Sequence, residues 1–392
     1  MSVISPNGIK YQIARIALDR ELISRAEIAR SLNMNPSTVG RLVDYLISRD
    51  VLQETDQASS SSLGRPPKLL RFNPFISSIL TVDLRSTVAY GAITNLSGDI
   101  LRKSYLPLNA AEPVSSLTGL IKLIRELLSN SAGVTPVEII TVGAPSIVDT
   151  QTGTIEWAPS FGWKKLPLRT ILEDEFNLAT IVENDVNLAV LGEFWKGAGN
   201  TRGGNLVFVS VGTGIGAGIV LNGELYRGSS NAAGEVAYFI TDVDVLRDNA
   251  GRIGNLESRA GSEGLIRSAS LIARRYPASS LAKLLNSKTD VHPNQIVDLA
   301  LSGDPAAILV VNDLVDILTI VICNISVLLD LDMVVLGSPI DLNFPELIPA
   351  INNRIGTSLL RPVKLVASKL DKDAVILGGA YIAHHALNIF KQ

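Results

Sequence analysis

The stretch VSVGTGIGAG, Val209–Gly218, sets four glycines at alternate positions of an apolar run. Glycine tolerates positive φ and close backbone approach, so such a turn can aim N–H groups at an anion, as phosphate-binding loops do. Gly212, Thr213 and Gly214 are the residues that would meet it. A second chemistry-bearing pattern lies near the N-terminus. PSTVGRLVDYL places Ser37, Thr38, Arg41 and Tyr45 on one face of a helix and Val39, Leu42, Val43 and Leu46 on another. Short polar side chains at a helix start, followed by arginine, suit entry into a DNA major groove. Beyond Leu52, a serine-rich strip runs into GRPPKLLRFNP. Two strands around that strip would form a wing, with Arg65 and Lys68 available to phosphate or the minor groove. The plainer alternative is a small helical packing domain followed by a linker.

The elements that must position these residues are legible as well. GIKYQIARIALDRE carries a helical stripe at Ile9, Ile13, Ile16 and Ala17. Ser24 and Glu27 have the spacing of a capping box for a second helix. Asn33-Met34-Asn35 forms the following turn, and Pro36 opens the third helix, where a first turn accepts proline. From residue 73 onward, strand-like and helix-like segments alternate. SSILTVDLRSTVAYGAITNLSGDILRKSYLPL reads as three strands with a turn at Ser97-Gly98. A helix follows over Pro113–Asn130, then the strand EIITVGAP, the helix LRTILEDEF, the strand ATIVEND and the helix VNLAVLGEFWKGAG. NLVFVSVGTGIGAGIVLNGELYRG restarts the three-strand pattern, with Asn222-Gly223 as a hairpin turn. Two related α/β lobes with a cleft between them are therefore expected. MVVLGSPI and AVILGGAYIAHHAL read as later strand-to-helix or strand-to-turn junctions.

Composition excludes several classes. The 392 residues exceed one ordinary domain. Cys323 is the single cysteine, which rules out an internal disulfide framework and fits a reducing, cytoplasmic setting. With His292, His384 and His385 as the three histidines, no structural zinc site is expected, nor any other metal or cofactor. The N-terminus turns polar within ten residues, so no signal peptide is read there. The longest apolar segment carries Asp313, Asp316 and Asp330 and reads as a buried helix and strand, without a membrane role. Residues 1–72 hold 10 Lys/Arg against 7 Asp/Glu, a net +3, while the other 320 hold 25 against 31, a net −6. A basic head on an acidic body suits a polyanionic partner for the head.

Four long motifs, in order and at natural spacing, carry a family resemblance. They are GAPSIVDTQTGTIEWAPSFGWKKLPL, VENDVNLAVLGE, VSVGTGIGAGIVLNGELYRGSSNAAGEV and the head ending in GRPPKLLRFNP. Over essentially its whole length the chain resembles the ROK family (repressors, open reading frames and kinases). The likeness is to the branch of xylose- and N-acetylglucosamine-type sugar-responsive repressors. The resemblance implies an α/β fold: an N-terminal winged helix-turn-helix over 1–72, then a two-lobed actin-like, hexokinase-like (ribonuclease H-like) ROK domain. Its small lobe would span 73–190, completed by a C-terminal helix at about 376–392, and its large lobe 191–375.

The resemblance also implies kinase parts, some kept and some lost. Asp83 and Thr87 remain of the first phosphate turn, VDLRSTV, but Arg85 stands where a glycine would admit the nucleotide phosphates. Arg85 either binds another anion or makes a structural ion pair. Gly212-Thr213-Gly214 is the second phosphate loop, and Asp185 is the vestigial base candidate. The adenosine end is VVLGSPI, with Ser338 where the family carries glycine. The family's zinc run is replaced by Tyr238, Asp248, Ala250 and Asn255, leaving packing or a polar network to hold that segment. Family sugar contacts map onto Ser146, Ser160, Asn184, Asp185, Glu235, Tyr238 and Glu257, and Trp157 or Trp163 could face an apolar sugar surface. Three of them have a plainer counterpart: Asp185 as a helix cap, Glu257 paired with Arg252 or Arg259, and Trp163 as core.

The expectation is a sugar-responsive repressor and not an enzyme, a homodimer whose partners are a palindromic operator DNA and a small sugar. The alternatives are a sugar kinase with an appended DNA-binding head, and a ligand-free DNA-binding protein whose body serves dimerisation.

Overall fold

The computed structural model describes residues 8–20, 22–58, 68–109, 112–129, 134–199, 204–241, 255–287, 291–331, 333–337, 346–356 and 363–386. They fall into two compact units. The first is drawn from Met1–Val142, Pro159–Val182 and Ala380–Gln392, the second from Gly143–Ala158 and Glu183–Gly379.

The first unit begins with α1 (Ile9–Asp19), β1 (Ile23–Ser24), α2 (Arg25–Ser31), α3 (Pro36–Ser48), β2 (Leu52–Ala58) and β3 (Lys68–Phe72). Ser24 and Glu27 close a reciprocal cap on α2: Glu27 N donates to Ser24 Oγ, and Ser24 N donates to Glu27 Oε2. Asn35 caps α3 by accepting from Ser37 N, and Pro36 opens the helix where its missing N–H costs nothing. Val39, Val43 and Leu46 on α3 are fully buried, each contributing about 1.5–3 kcal/mol of hydrophobic stabilisation. β2 and β3 pair antiparallel, Leu52 opposite Phe72, and β1 lines the other edge of β3.

β4 (Ser78–Arg85), β5 (Val88–Asn95) and β6 (Ile100–Pro107) then form an antiparallel meander. α4 (Pro113–Ser129) buries Leu120, Leu123, Ile124 and Leu127, the stripe its spacing requires. β7 (Val137–Ala144) follows. β8 (Ile147–Asp149) and β9 (Thr154–Ala158) make a hairpin of the second unit. β10 (Trp163–Leu166), α5 (Leu168–Phe176) and β11 (Ala179–Asn184) return the chain, and the sheet order is β11-β7-β4-β5-β6.

The second unit continues with α6 (Asp185–Trp195), β12 (Leu206–Val211), β13 (Ile215–Leu221) and β14 (Glu224–Leu225). Asn222 and Gly223 turn between β13 and β14 with φ of 54° and 81°, the double positive φ of a two-residue hairpin turn. Then come α7 (Asn255–Ala260), α8 (Ser262–Arg275), α9 (Ser280–Ser287), α10 (Pro293–Leu301), α11 (Pro305–Leu329), β15 (Met333–Gly337), α12 (Leu347–Ile355), β16 (Lys364–Ala367) and α13 (Ala374–Ala386), whose residues from Ala380 on are counted with the first unit. The sheet order β16-β15-β12-β13-β14 repeats that of the first sheet, a three-strand meander flanked by the fourth and fifth strands. This is the internal repeat that the restarted strand pattern implied.

α11 is the one helix among the described residues long and apolar enough to cross a membrane. It is also the core of its unit: Val310, Leu314, Leu318, Val321 and Ile322 are buried among the strands and helices around it. Asp304 caps it by accepting from Ala306 N and Ala307 N. The segment AVILGGAYIAHHAL, read locally as a strand-to-helix or strand-to-turn junction and through the resemblance as a helix from about 376, is helical from Ala374 to Ala386 with no strand before it in that segment. It contains no proline, and its apolar residues are not confined to one face, so periodicity alone could not separate helix from strand.

Candidate functional site

The alternating glycines divide into two roles. Gly216 and Gly218 lie inside β13, beneath α6. A Cβ on Gly218 would stand 2.5 Å from Val186 O, and one on Gly216 would stand 3.2 Å from Val186 Cγ2. That half of the pattern serves close helix-on-strand packing. The other half forms the turn, where protein groups already engage the backbone. Gly212 N donates to Gly214 O, and both Ser262 N and Ser262 Oγ donate to Gly212 O. Ile215 N donates to Glu257 Oε2 at 3.0 Å, so a carboxylate occupies an amide that an anion would otherwise use. Thr213 and Gly214 are exposed.

At the junction of β11 and α6, Asn184 is the helix cap. Its Oδ1 accepts from Asn187 N at 3.0 Å, and its Nδ2 donates to Ser146 O at 3.1 Å. The capping role considered for Asp185 thus falls to its neighbour. Asp185 is the first residue of the helix, half-buried, with Oδ1 accepting from Val186 N at 2.9 Å. A helix N-terminus favours negative charge at that place. Glu183, buried just before it, accepts from Arg227 Nε at 2.8 Å on one oxygen and from Asn187 Nδ2 and Asn184 N on the other. Glu183 and Arg227 fix the junction, although sequence reading assigned neither a role.

Glu235 follows a glycine at φ 89° and is half-buried, with no hydrogen bond among the described residues. Burial, and then the nearby Glu257 carboxylate, hold its carboxyl above the usual carboxylate range. Connectivity gathers these groups. Val186, next to Asp185, rests on Gly216; two residues earlier, Glu257 leans on Gly214; and Glu257 is the charged neighbour of Glu235. Glu235 and Glu257 therefore lie together near the start of β13, and Asp185 opens α6, the helix that rests on that strand. Two neighbouring carboxylates, one of which has no donor among the described residues, make an acceptor-rich place suited to a polyhydroxylated ligand.

Of the other expected contacts, Ser146 is buried and Tyr238 is exposed, both in the second unit. Ser160 is exposed on the short turn Pro159–Phe161 of the first unit. Trp157 is exposed, whereas Trp163 is core: it stacks on Phe161 at 4.6 Å and its Nε1 donates to Pro113 O. Asp248, Ala250, Arg252 and Ser338 lie outside the described residues. Asn255, at the last of the substituted zinc-run positions, accepts from Thr241 N and Oγ1, so its partner is Thr241 and not another of the substituted positions.

In the first unit, Arg85 is committed to an ion pair. Its Nε and Nη2 donate to Asp83 Oδ2 at 2.8 and 2.7 Å, and its guanidinium lies 4.9 Å from the Tyr90 ring centre. Burial holds the Asp83 carboxyl above the usual carboxylate range, and Arg85 opposes that shift without reversing it. Thr87 is exposed between β4 and β5.

On the head, Arg41 is exposed and makes no ion pair or hydrogen bond among the described residues. Ser37 is exposed and Thr38 half-buried beside it on the first turn of α3. Tyr45 is half-buried, with Lys10 Nζ 3.5 Å above its ring. Lys68 is not free, because Glu54 holds it while also binding Arg25, and Arg25 pairs in turn with Asp44 at 2.7 Å. Arg65 lies outside the described residues.

Known proteins place this architecture. A xylose repressor of Caldicellulosiruptor bescii is 29% identical over 377 residues, covering 94% of this chain and 93% of that protein. A glucokinase of Halalkalibacterium halodurans is also 29% identical, but covers 79% of this chain while using 96% of its own. The crystal structure of a ROK family transcriptional regulator, a homologue of the Escherichia coli MLC protein, superposes with a TM-score of 0.81 at 25% identity, covering 97% of both chains. Residues 79–386 match the ROK family, to which this chain belongs.

Proposed function

We propose that this chain is a sugar-responsive, DNA-binding transcriptional repressor that acts as a homodimer in the cytoplasm. The observation that carries the reading is the reach of its likeness: repressor and regulator match nearly end to end, whereas the glucokinase leaves about a fifth of this chain unmatched. The head supports it. Three helices, a capped α3 and the β2–β3 ribbon fit a winged helix-turn-helix over residues 1–72, with Ser37, Thr38 and Arg41, which has no partner among the described residues, facing DNA. Two heads of a dimer would span a palindrome. Asn184, Asp185, Glu235 and Glu257 are assigned to the sugar, with Ser146 and Tyr238 of the same unit as further candidate contacts.

Catalysis is not part of the proposal. Phosphoryl transfer depends on positioning and on charge stabilisation at the phosphates. Arg85 fills the turn that would admit them, and Glu257 takes the Ile215 amide of the second loop. Sugar binding acts by favouring one arrangement of the dimer over another, which requires different sugar affinities in the two.

The test selects DNA fragments with the purified protein and measures binding by fluorescence anisotropy with and without D-xylose or D-glucose. A palindromic site released by one sugar is expected, and Arg41→Ala should weaken that site about tenfold or more while leaving the fold unchanged. Absence of sequence-specific binding would overturn the reading. So would ATP-dependent sugar phosphorylation that Asp185→Asn abolishes.

A further inference from the structure

Glu235 and Glu257 come from two pieces of chain that are fastened to each other by groups outside the site. Glu235 opens the short turn Val236–Tyr238, after which the chain runs on to Thr241. Glu257 sits on α7. Asn255, buried at the start of α7, accepts on Oδ1 from Thr241 N at 2.7 Å and from Thr241 Oγ1 at 2.6 Å. Leu256 N donates to Phe239 O at 3.1 Å. Arg259 Nη1 donates to Thr241 Oγ1 at 3.3 Å, and Arg259 Nη2 reaches Asp313 Oδ1 on α11 at 3.2 Å.

The helix geometry makes this a two-sided device. Asn255 and Arg259 are four residues apart and share one face of α7, while Glu257, midway between them, projects from the opposite side. One face grips Thr241 and is tied to α11, the longest helix of the unit. The other delivers Glu257 to Ile215 N and to the neighbourhood of Glu235. A slip of α7 by a fraction of an ångström would move one carboxylate relative to the other.

We propose that Asn255 and Arg259, through Thr241 and Asp313, are positioning residues that set the spacing of the Glu235–Glu257 pair and thereby the affinity for a polyol effector. The inference rests on the sugar-site reading above. Neither residue touches the ligand. Each acts through the piece of chain it holds.

The experiment uses the full chain and three variants, Asn255→Leu, Asn255→Asp and Arg259→Ala. D-xylose and D-glucose are titrated by calorimetry, and hydrogen exchange of the Ile215 amide is followed without sugar. Leucine keeps the volume but cannot accept, whereas aspartate accepts the same two donors. Asn255→Leu and Arg259→Ala should weaken sugar binding about tenfold and speed Ile215 exchange by a similar factor, because a charge-assisted hydrogen bond is misplaced. Asn255→Asp should restore both to near wild-type values. Sugar affinity and Ile215 protection unchanged in Asn255→Leu, or lost equally in Asn255→Asp, would overturn the positioning role. If the wild-type chain binds neither sugar, the effector reading fails. Ile215 protection unchanged in Asn255→Leu would then overturn the positioning role separately.

Discussion

Lowering the pH from about 7.5 to about 5 is expected to cost the native state about 2 kcal/mol through one residue, His384. It lies in the last turn of α13 with 2% of its surface exposed. Burial drives its imidazole pKa down to about 3, with the neighbouring His385 and then Arg15 of α1 adding to the effect, while a hydrogen bond to Tyr381 opposes it. In the unfolded chain the ring titrates near 6.5. Between these values the unfolded state binds the extra proton, so stability rises with pH through the window and falls as acid is added. At pH 5 the unfolded ring lies about 1.5 pK units above the solution pH, and at 1.36 kcal/mol per unit the penalty is about 2 kcal/mol. Folded domains commonly hold about 5–15 kcal/mol in all, so the loss is measurable. Burial shifts His385 in the same direction, which adds to the wild-type drop. Urea unfolding followed by tryptophan fluorescence, at both pH values, gives the drop for the wild type and for His384→Phe. The variant should lose about 2 kcal/mol less between the two conditions. Equal losses in both proteins, or a His384 ring signal in NMR that titrates above pH 6, would refute the reasoning.

Two further substitutions test how the second unit is held. Glu193 is fully buried on α6; its Oε1 accepts from Ser368 Oγ, Lys369 N and Leu370 N, and its Oε2 from Ala198 N. Glu193→Gln turns an amide N–H against at least one of these donors and should cost about 2–4 kcal/mol, read as a lowered urea midpoint at neutral pH. Gly234→Ala would set a Cβ 1.8 Å from Ala217 O at φ 89°, so the chain before Glu235 must move. A loss of about 2–4 kcal/mol in stability is expected, together with weaker sugar binding by calorimetry.

Much of this molecule is written in short-range terms. The Ser24–Glu27 cap, the Asn35–Pro36 helix start, the Asn222-Gly223 hairpin and the stripe of α3 are set by residues within four positions of one another. Their backbone chemistry permits few other outcomes, so they could be read directly. The repeated strand meander was legible for the same reason, since period-2 runs and turn residues recur in order. The motifs likewise pointed to Asn184, Asp185, Glu235 and Glu257 as candidate sugar contacts.

What the tertiary structure decided is which of those groups are already engaged. Arg85, offered as an anion site or an ion pair, is paired with Asp83, and Lys68 carries an ion pair with Glu54 that its sequence position did not announce. Asn184 rather than Asp185 caps α6, and half of the glycine loop proves to be a seat for that helix. The grips of Arg227 on Glu183 and of Arg259 on Asp313 join residues 44 and 54 positions apart. Local pattern carries no record of such pairs, because a charged side chain at a surface-like position looks the same in sequence whether or not a distant partner folds back to meet it.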